Sequence, residues 1–150
     1  NDTQEALERS LNLSKSALNL SLDNTVRRAT AIQIELISAA SLGNDLAAAL
    51  PQAAGAAEFS QLALYNLNNG RTEAERNPQR LPAPEPDEHT LELLNQAGSA
   101  RSIESINNVL YAQGWLMLTD QNAQQTALFF RQPIPANVAK DASLIEAARA

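Results

Sequence analysis

Apolar positions in the first third of the chain recur at helical spacing without interruption. With successive residues set 100° apart, Leu7, Leu11, Leu18, Leu22, Ala29, Ile32 and Leu36 share one stripe. Leu13, Ala17, Leu20, Ala31 and Ile34 fall on the opposite side. No proline precedes Pro51 and Gly43 is the only glycine before it, so the pattern predicts one long helix over residues 1–50. A helix of ~45 residues is ~65 Å long, about twice the width of a small domain, so part of it is expected to project. Two apolar faces imply two partners. The intervals from Leu7 to Leu18 to Ala29 and from Leu11 to Leu22 are 11 residues, a period that suits a nearly straight or slightly right-handed helical pairing. Leu7, Leu11, Leu18 and Leu22 are therefore the expected contact with a second copy of the chain. Asn24, Arg27 and Arg28 interrupt the other stripe and either make a polar contact across a dimer or mark where the helix leaves the sheet, the second being the favoured reading.

After the helix the period changes. Residues 51–58 are Ala-rich, contain Gly55 and read as a broken turn. In 59–67, Leu62 and Leu64 alternate with Ala63, Tyr65 and Leu67, the pattern of a strand covered on both faces. Asn69-Gly70 favours the positive φ values of a tight hairpin turn, so 71–75 should return as a polar edge strand. Pro78, Pro82, Pro84 and Pro86 hold 77–86 extended and exposed. Pro86, Asp87 and Glu88 suit the first turn of a helix that runs to Gln96 and stops at Gly98. Residues 101–106 and 109–119 read as strands joined at Asn107-Asn108, 120–125 as a polar turn, and 126–132 as a last strand stopped by Pro133 and Pro135. Residues 136–150 read as a helix still running at the end of the chain. Strands in hairpin-like succession with helices to the side predict an α+β fold with an antiparallel sheet over 59–132, not a βαβ nucleotide fold.

Composition narrows the chemistry. The 150 residues suit a single domain. The net charge of −6 would repel a phosphate backbone, so nucleic acid is not an expected partner. Without cysteine there are no thiol nucleophiles, thiolate metal sites or disulfides. No apolar run reaches the roughly 20 residues that cross a bilayer, and the opening at Asn1, without Met and already helical in period, reads as a piece cut from a longer chain. Five unclustered glycines make no phosphate loop, which argues against ATP or dinucleotide binding. His89, the sole histidine, follows Asp87 and Glu88 at a helix start and reads as a solvated surface residue. Glu73 with Glu75 and Asp87 with Glu88 lie in polar contexts with nothing apolar to raise a pKa for acid catalysis. No catalytic residue, metal ligand or cofactor is therefore expected, and the chain does not read as an enzyme.

Five segments carry a resemblance: EALERSLNLSKSALNLSLD at 5–23, ALYNLNNGR at 63–71, LPAPEPDE at 81–88, RSIESI at 101–106 and FFRQPIPANVAKDASLIEAARA at 129–150. In their order along the chain they resemble the region between the transmembrane helices of NtrY-type nitrogen-regulation sensor histidine kinases, with a hairpin that looks like the strand-turn of PAS-like Cache domains. The resemblance implies a long N-terminal helix before a PAS-like (Cache/PDC-type) sheet with a short helix and a C-terminal helix. It also implies flanking transmembrane helices, a following HAMP and kinase core, a periplasmic location as part of an inner-membrane protein, a homodimer, and a cytoplasmic response regulator as partner of the intact protein.

The pocket of such domains lies between the curved sheet and the connection after the first hairpin. Tyr65, Arg101, Ser102, Tyr111, Trp115 and Arg131 are the polar or aromatic side chains placed to line it, an Arg being able to hold a carboxylate in a two-pronged contact. The ligand itself is not legible. Two other readings stand beside this one: a ligand-free helical dimerisation or interaction module, and the sensor domain of a chemoreceptor or cyclase.

Overall fold

The computed structural model describes residues 2–119 and 125–138. The opening helix, α1 (Asp2–Ser41), is unbroken over 40 residues, about 60 Å. It ends short of Leu50 because Gly43 adopts φ 82° and closes it with a Schellman pair: Gly43 N–H donates to Ala40 O at 3.0 Å and Asn44 N–H to Ala39 O at 2.9 Å. Asp45 then caps a four-residue helix, α2 (Leu46–Ala49), and single 3₁₀ turns at Leu50–Gln52 and Ala56–Glu58 complete the broken stretch.

Five strands follow: β1 (Gln61–Asn66), β2 (Arg71–Arg76), β3 (Ser99–Ile106), β4 (Val109–Thr119) and β5 (Gln125–Pro133), with α3 (Glu88–Ala97) between β2 and β3. They form one antiparallel sheet in the order β2-β1-β5-β4-β3. This is the expected α+β architecture, a long N-terminal helix with a PAS-like antiparallel sheet.

The turn chemistry differs from expectation in one hairpin. Between β1 and β2 only Gly70 takes a positive φ, 69°, within a four-residue loop in which Asn66 Oδ1 accepts from Asn68 N–H at 2.8 Å and Asn69 N–H at 3.3 Å. The two-residue turn with both central φ values positive occurs instead at Asn107 (51°) and Asn108 (66°), joining β3 to β4. Residues 120–124 and 139–150 lie outside the described residues, and with them most of the expected polar turn and closing helix. Residues 136–138 are helical.

Strand alternation gives the sheet two covered faces. On one, Ala29, Ile32 and Leu36 of α1 pack with Leu62, Leu64, Leu116, Leu118, Leu128 and Phe130, closed below by Leu50, Ala53, Ala56 and Phe59. Leu22 continues the seam onto Ala112 and Ile134. Each buried Leu, Ile or Phe contributes about 1.5–3 kcal/mol, which outweighs the few tenths lost at each Ser, Thr and Asn in α1, so the sheet rather than intrinsic propensity holds the helix. Gln33 Nε2 donates to Met117 O at 2.8 Å and fixes α1 along β4. On the other face α3 presses Leu94 onto Ala63, Trp115, Ala127 and Phe129.

Burial corrects the expected division of labour along α1. Leu11 is 1 % exposed and Leu22 is buried within a single chain, while Leu7 and Leu18 are half-buried, Leu18 against the Leu22 cluster. The stripe with the 11-residue period is therefore the face turned to the chain's own body, because a straight helix on a sheet needs a row that stays on one side. Leu13 (72 % exposed), Leu20 (58 %) and Ile34 (63 %) form the face left to solvent. Burial begins as early as Leu11, so only the opening turns of α1 extend past the buried stretch.

Candidate functional site

The face of the sheet away from α1 carries a polar row across four strands. The register sets Gln61 of β1 beside Arg131 of β5, Arg131 beside Gln113 of β4, and Gln113 beside Ser102 of β3. Hydrogen bonds run along it: Arg131 Nη1 donates to Gln61 Oε1 at 2.6 Å, Arg131 Nε to Gln113 Oε1 at 2.8 Å, and Gln113 Nε2 to Ser102 Oγ at 3.4 Å. The adjacent row is aromatic, with Trp115 against Phe129 at 4.9 Å between ring centroids and Tyr65 edge-on to Trp115 at 5.4 Å. The Arg131 guanidinium stands 4.9 Å from the centre of the Phe129 ring.

The proline-rich connection between β2 and α3 crosses this row. Asn77 pins its start, donating to Leu81 O at 2.8 Å and accepting from Leu81 N–H at 2.9 Å. Pro82 O then accepts from both Arg131 Nη1 (3.1 Å) and Gln61 Nε2 (3.2 Å), and Pro84 is buried. Between this strap and the sheet lies a cleft of about 290 Å³ bounded by Pro82–Glu85, Glu104, Gln113, Trp115, Phe129 and Arg131. A second hollow of about 390 Å³ adjoins it towards the first turns of α3 and shares Glu85, Glu104, Gln113 and Trp115.

Arg131 is the unusual member. It is 5 % exposed, and among the described residues the ion pairs are Arg28 with Glu58 and Arg101 with Asp23, neither involving Arg131. Burial pushes its pKa down, opposed by the nearby Glu104 and Tyr111, yet a guanidinium stays charged at neutral pH. A cation held by neutral amide and carbonyl oxygens is costly to bury and stands ready for an anionic group.

Of the side chains expected to line a pocket, Ser102, Tyr111, Trp115 and Arg131 share this face with Tyr65, which is packed beneath α3 rather than in the cleft. Tyr111 is buried outside both hollows. Arg101 borders the second hollow but not the first; its register partner is Gly114 on the α1 face, and its side chain pairs with Asp23 of α1. Gln61, Gln113, Pro82 and Glu104 complete the site without having been singled out. The available signal was a glutamine at a strand position where the period calls for an apolar residue.

Among the described residues no group of His, Asp and Glu could hold a metal ion, and no helix is long and apolar enough to cross a membrane. His89 is exposed and borders the second hollow. Compared with known proteins, the chain matches no family model and no curated protein.

Proposed function

We propose that this chain is a ligand-sensing input domain, the periplasmic part of an inner-membrane sensor histidine kinase of the nitrogen-regulation type. Its ligand is a small molecule held in the cleft over Arg131. The observation that carries the reading is Arg131 itself: a buried guanidinium with no ion pair among the described residues, at the floor of a cleft beneath a strap. An apolar residue there would avoid the cost of burying a charge. The domain acts as a homodimer through the solvent face of α1, and the signal leaves through α1 and the segment after β5 towards the membrane and a cytoplasmic response regulator. Such a signal needs only about 1–3 kcal/mol of differential binding between two arrangements of the helices.

A ligand-free dimerisation module is the second reading, and the exposed Leu13, Leu20 and Ile34 fit it equally well. The cleft separates the two. The test uses the full-length gene product in membrane vesicles with radiolabelled ATP. Autophosphorylation that changes with a small molecule in wild type and not in Arg131→Met is the expected result. A gene product without kinase activity, or one indifferent to every compound tried, contradicts it.

A further inference from the structure

We infer that the cleft over Arg131 takes a free α-amino acid in its zwitterionic form, with the carboxylate on Arg131 and the ammonium towards Glu104 and Glu85. The inference rests on the reading of the domain as a ligand sensor and names the chemical class. The first argument is the allocation of donors. Nε of Arg131 is spent on Gln113 Oε1, and Nη1 on Gln61 Oε1 and Pro82 O, while Nη2 makes no hydrogen bond among the described residues. Every fully buried side-chain nitrogen and oxygen there has a partner, so Nη2 is not fully buried, and the cleft that Arg131 lines is the open space beside the guanidinium. It offers a charge-assisted bond to one carboxylate oxygen. Gln113 Nε2, whose bond to Ser102 Oγ is long at 3.4 Å, is the neighbouring donor for the other oxygen.

The second argument is charge balance. Glu85 and Glu104 both border the cleft, and Glu104 is close enough to act on Arg131 electrostatically. A simple carboxylate anion entering this site from a chain of net charge −6 meets two like charges at the rim, and a simple amine meets Arg131 at the floor. A molecule with both charges a few bonds apart satisfies floor and rim together. The cleft of about 290 Å³ is small, and Trp115, shared with the adjoining hollow, offers an apolar wall to the side chain.

The experiment is calorimetric titration of the 150-residue chain with the standard amino acids, one at a time at millimolar concentration. Each binder is followed by its analogue lacking the amino group and its analogue lacking the carboxylate. At least one amino acid is expected to bind, each analogue to bind at least about tenfold more weakly, and Glu104→Gln to narrow the gap between the amino acid and its deaminated analogue. Because the analogue comparison uses unmodified protein, it does not depend on how any variant folds. Absence of binding by every amino acid, or a deaminated analogue that binds as tightly as its parent, overturns the inference. If a sugar or a simple anion then binds in a way lost in Arg131→Met, the class is wrong and the sensor reading stands; if no compound from a broad metabolite set binds, both fall.

Discussion

Arg131 and Gln132 are consecutive on β5 and leave the sheet on opposite faces, so the guanidinium enters the cleft while Gln132 reaches the long helix. Gln132 Oε1 lies 3.4 Å from Thr25 Oγ1 of α1, which also donates to Ser21 O at 2.9 Å, and Gln132 Nε2 donates to Glu58 O at 3.2 Å. The pleat of one strand thus joins the candidate ligand site to the rod that would carry a signal. A ligand that draws Arg131 towards the strap pulls on the Thr25 contact through a single peptide unit.

Replacing Gln132 with Ala should separate binding from output. The Thr25 contact is long and half-exposed, so the loss of stability is expected to stay below about 1 kcal/mol. Ligand affinity of the isolated domain should remain within about threefold of wild type, a difference under 1 kcal/mol. Kinase output of the full-length protein should respond less to ligand. An unchanged response in vesicles would remove Gln132 from the route.

Gly114 on β4 is needed for close approach, not for its φ. A Cβ there would meet Ala100 O at 2.4 Å and the Phe130 ring at 2.7 Å. Gly114→Ala should therefore cost about 1–3 kcal/mol by overpacking. Denaturant midpoints measure it, and a variant as stable as wild type would mean that β3 shifts freely.

The two faces of α1 should respond in opposite ways. Leu36→Ala empties a site 1 % exposed and should cost about 2–5 kcal/mol without bearing directly on association. Leu13→Glu and Leu20→Glu should leave the melting temperature nearly unchanged and weaken dimer formation of the full-length protein. Cysteines at Leu13 or Leu20 should cross-link in membranes, and a cysteine at Leu11 should not. Cross-linking confined to position 11 would reverse the assignment of faces.

Acid should loosen α3 through its cap. Asp87 Oδ1 accepts from Thr90 N–H at 2.8 Å, and that bond holds the carboxyl below its ordinary value. For a lowered carboxyl pKa the stabilisation is fully present above the unfolded value near 4 and is lost as pH falls through the folded one. Unfolding midpoints below pH about 4 should fall less steeply for Asp87→Asn than for wild type. Parallel curves would show that the cap contributes nothing.

Much of this fold was legible in the chain because its signals are local. The prolines of 77–86, Gly98 after α3 and the alternation in β4 each set an element within a residue or two, whereas the proline-free opening set the start of α1 but not its end at Ser41. What was not legible depends on distance. The α1 stripe of Leu7, Leu11, Leu18 and Leu22 reads in the chain as a face for a partner, and only the fold shows Leu11 buried and Leu22 packed on Ala112 and Ile134 of the chain's own body. Arg101 and Ser102 are adjacent, so at most one could face the cleft, and the register with Gly114 and Gln113 decides which. Gln61 and Gln113 read as ordinary strand residues until β5 places Arg131 between them.

The most direct measurement is thermal unfolding of wild type and Arg131→Met against a metabolite set containing the amino acids. Without ligand the two should differ by less than about 1 kcal/mol, since relief of a buried charge offsets the lost hydrogen bonds. At about one hundred times its dissociation constant a ligand stabilises wild type by about 2.7 kcal/mol, a shift of several degrees that Arg131→Met should lack. No stabilising compound for wild type, or equal stabilisation of both proteins, would contradict the account.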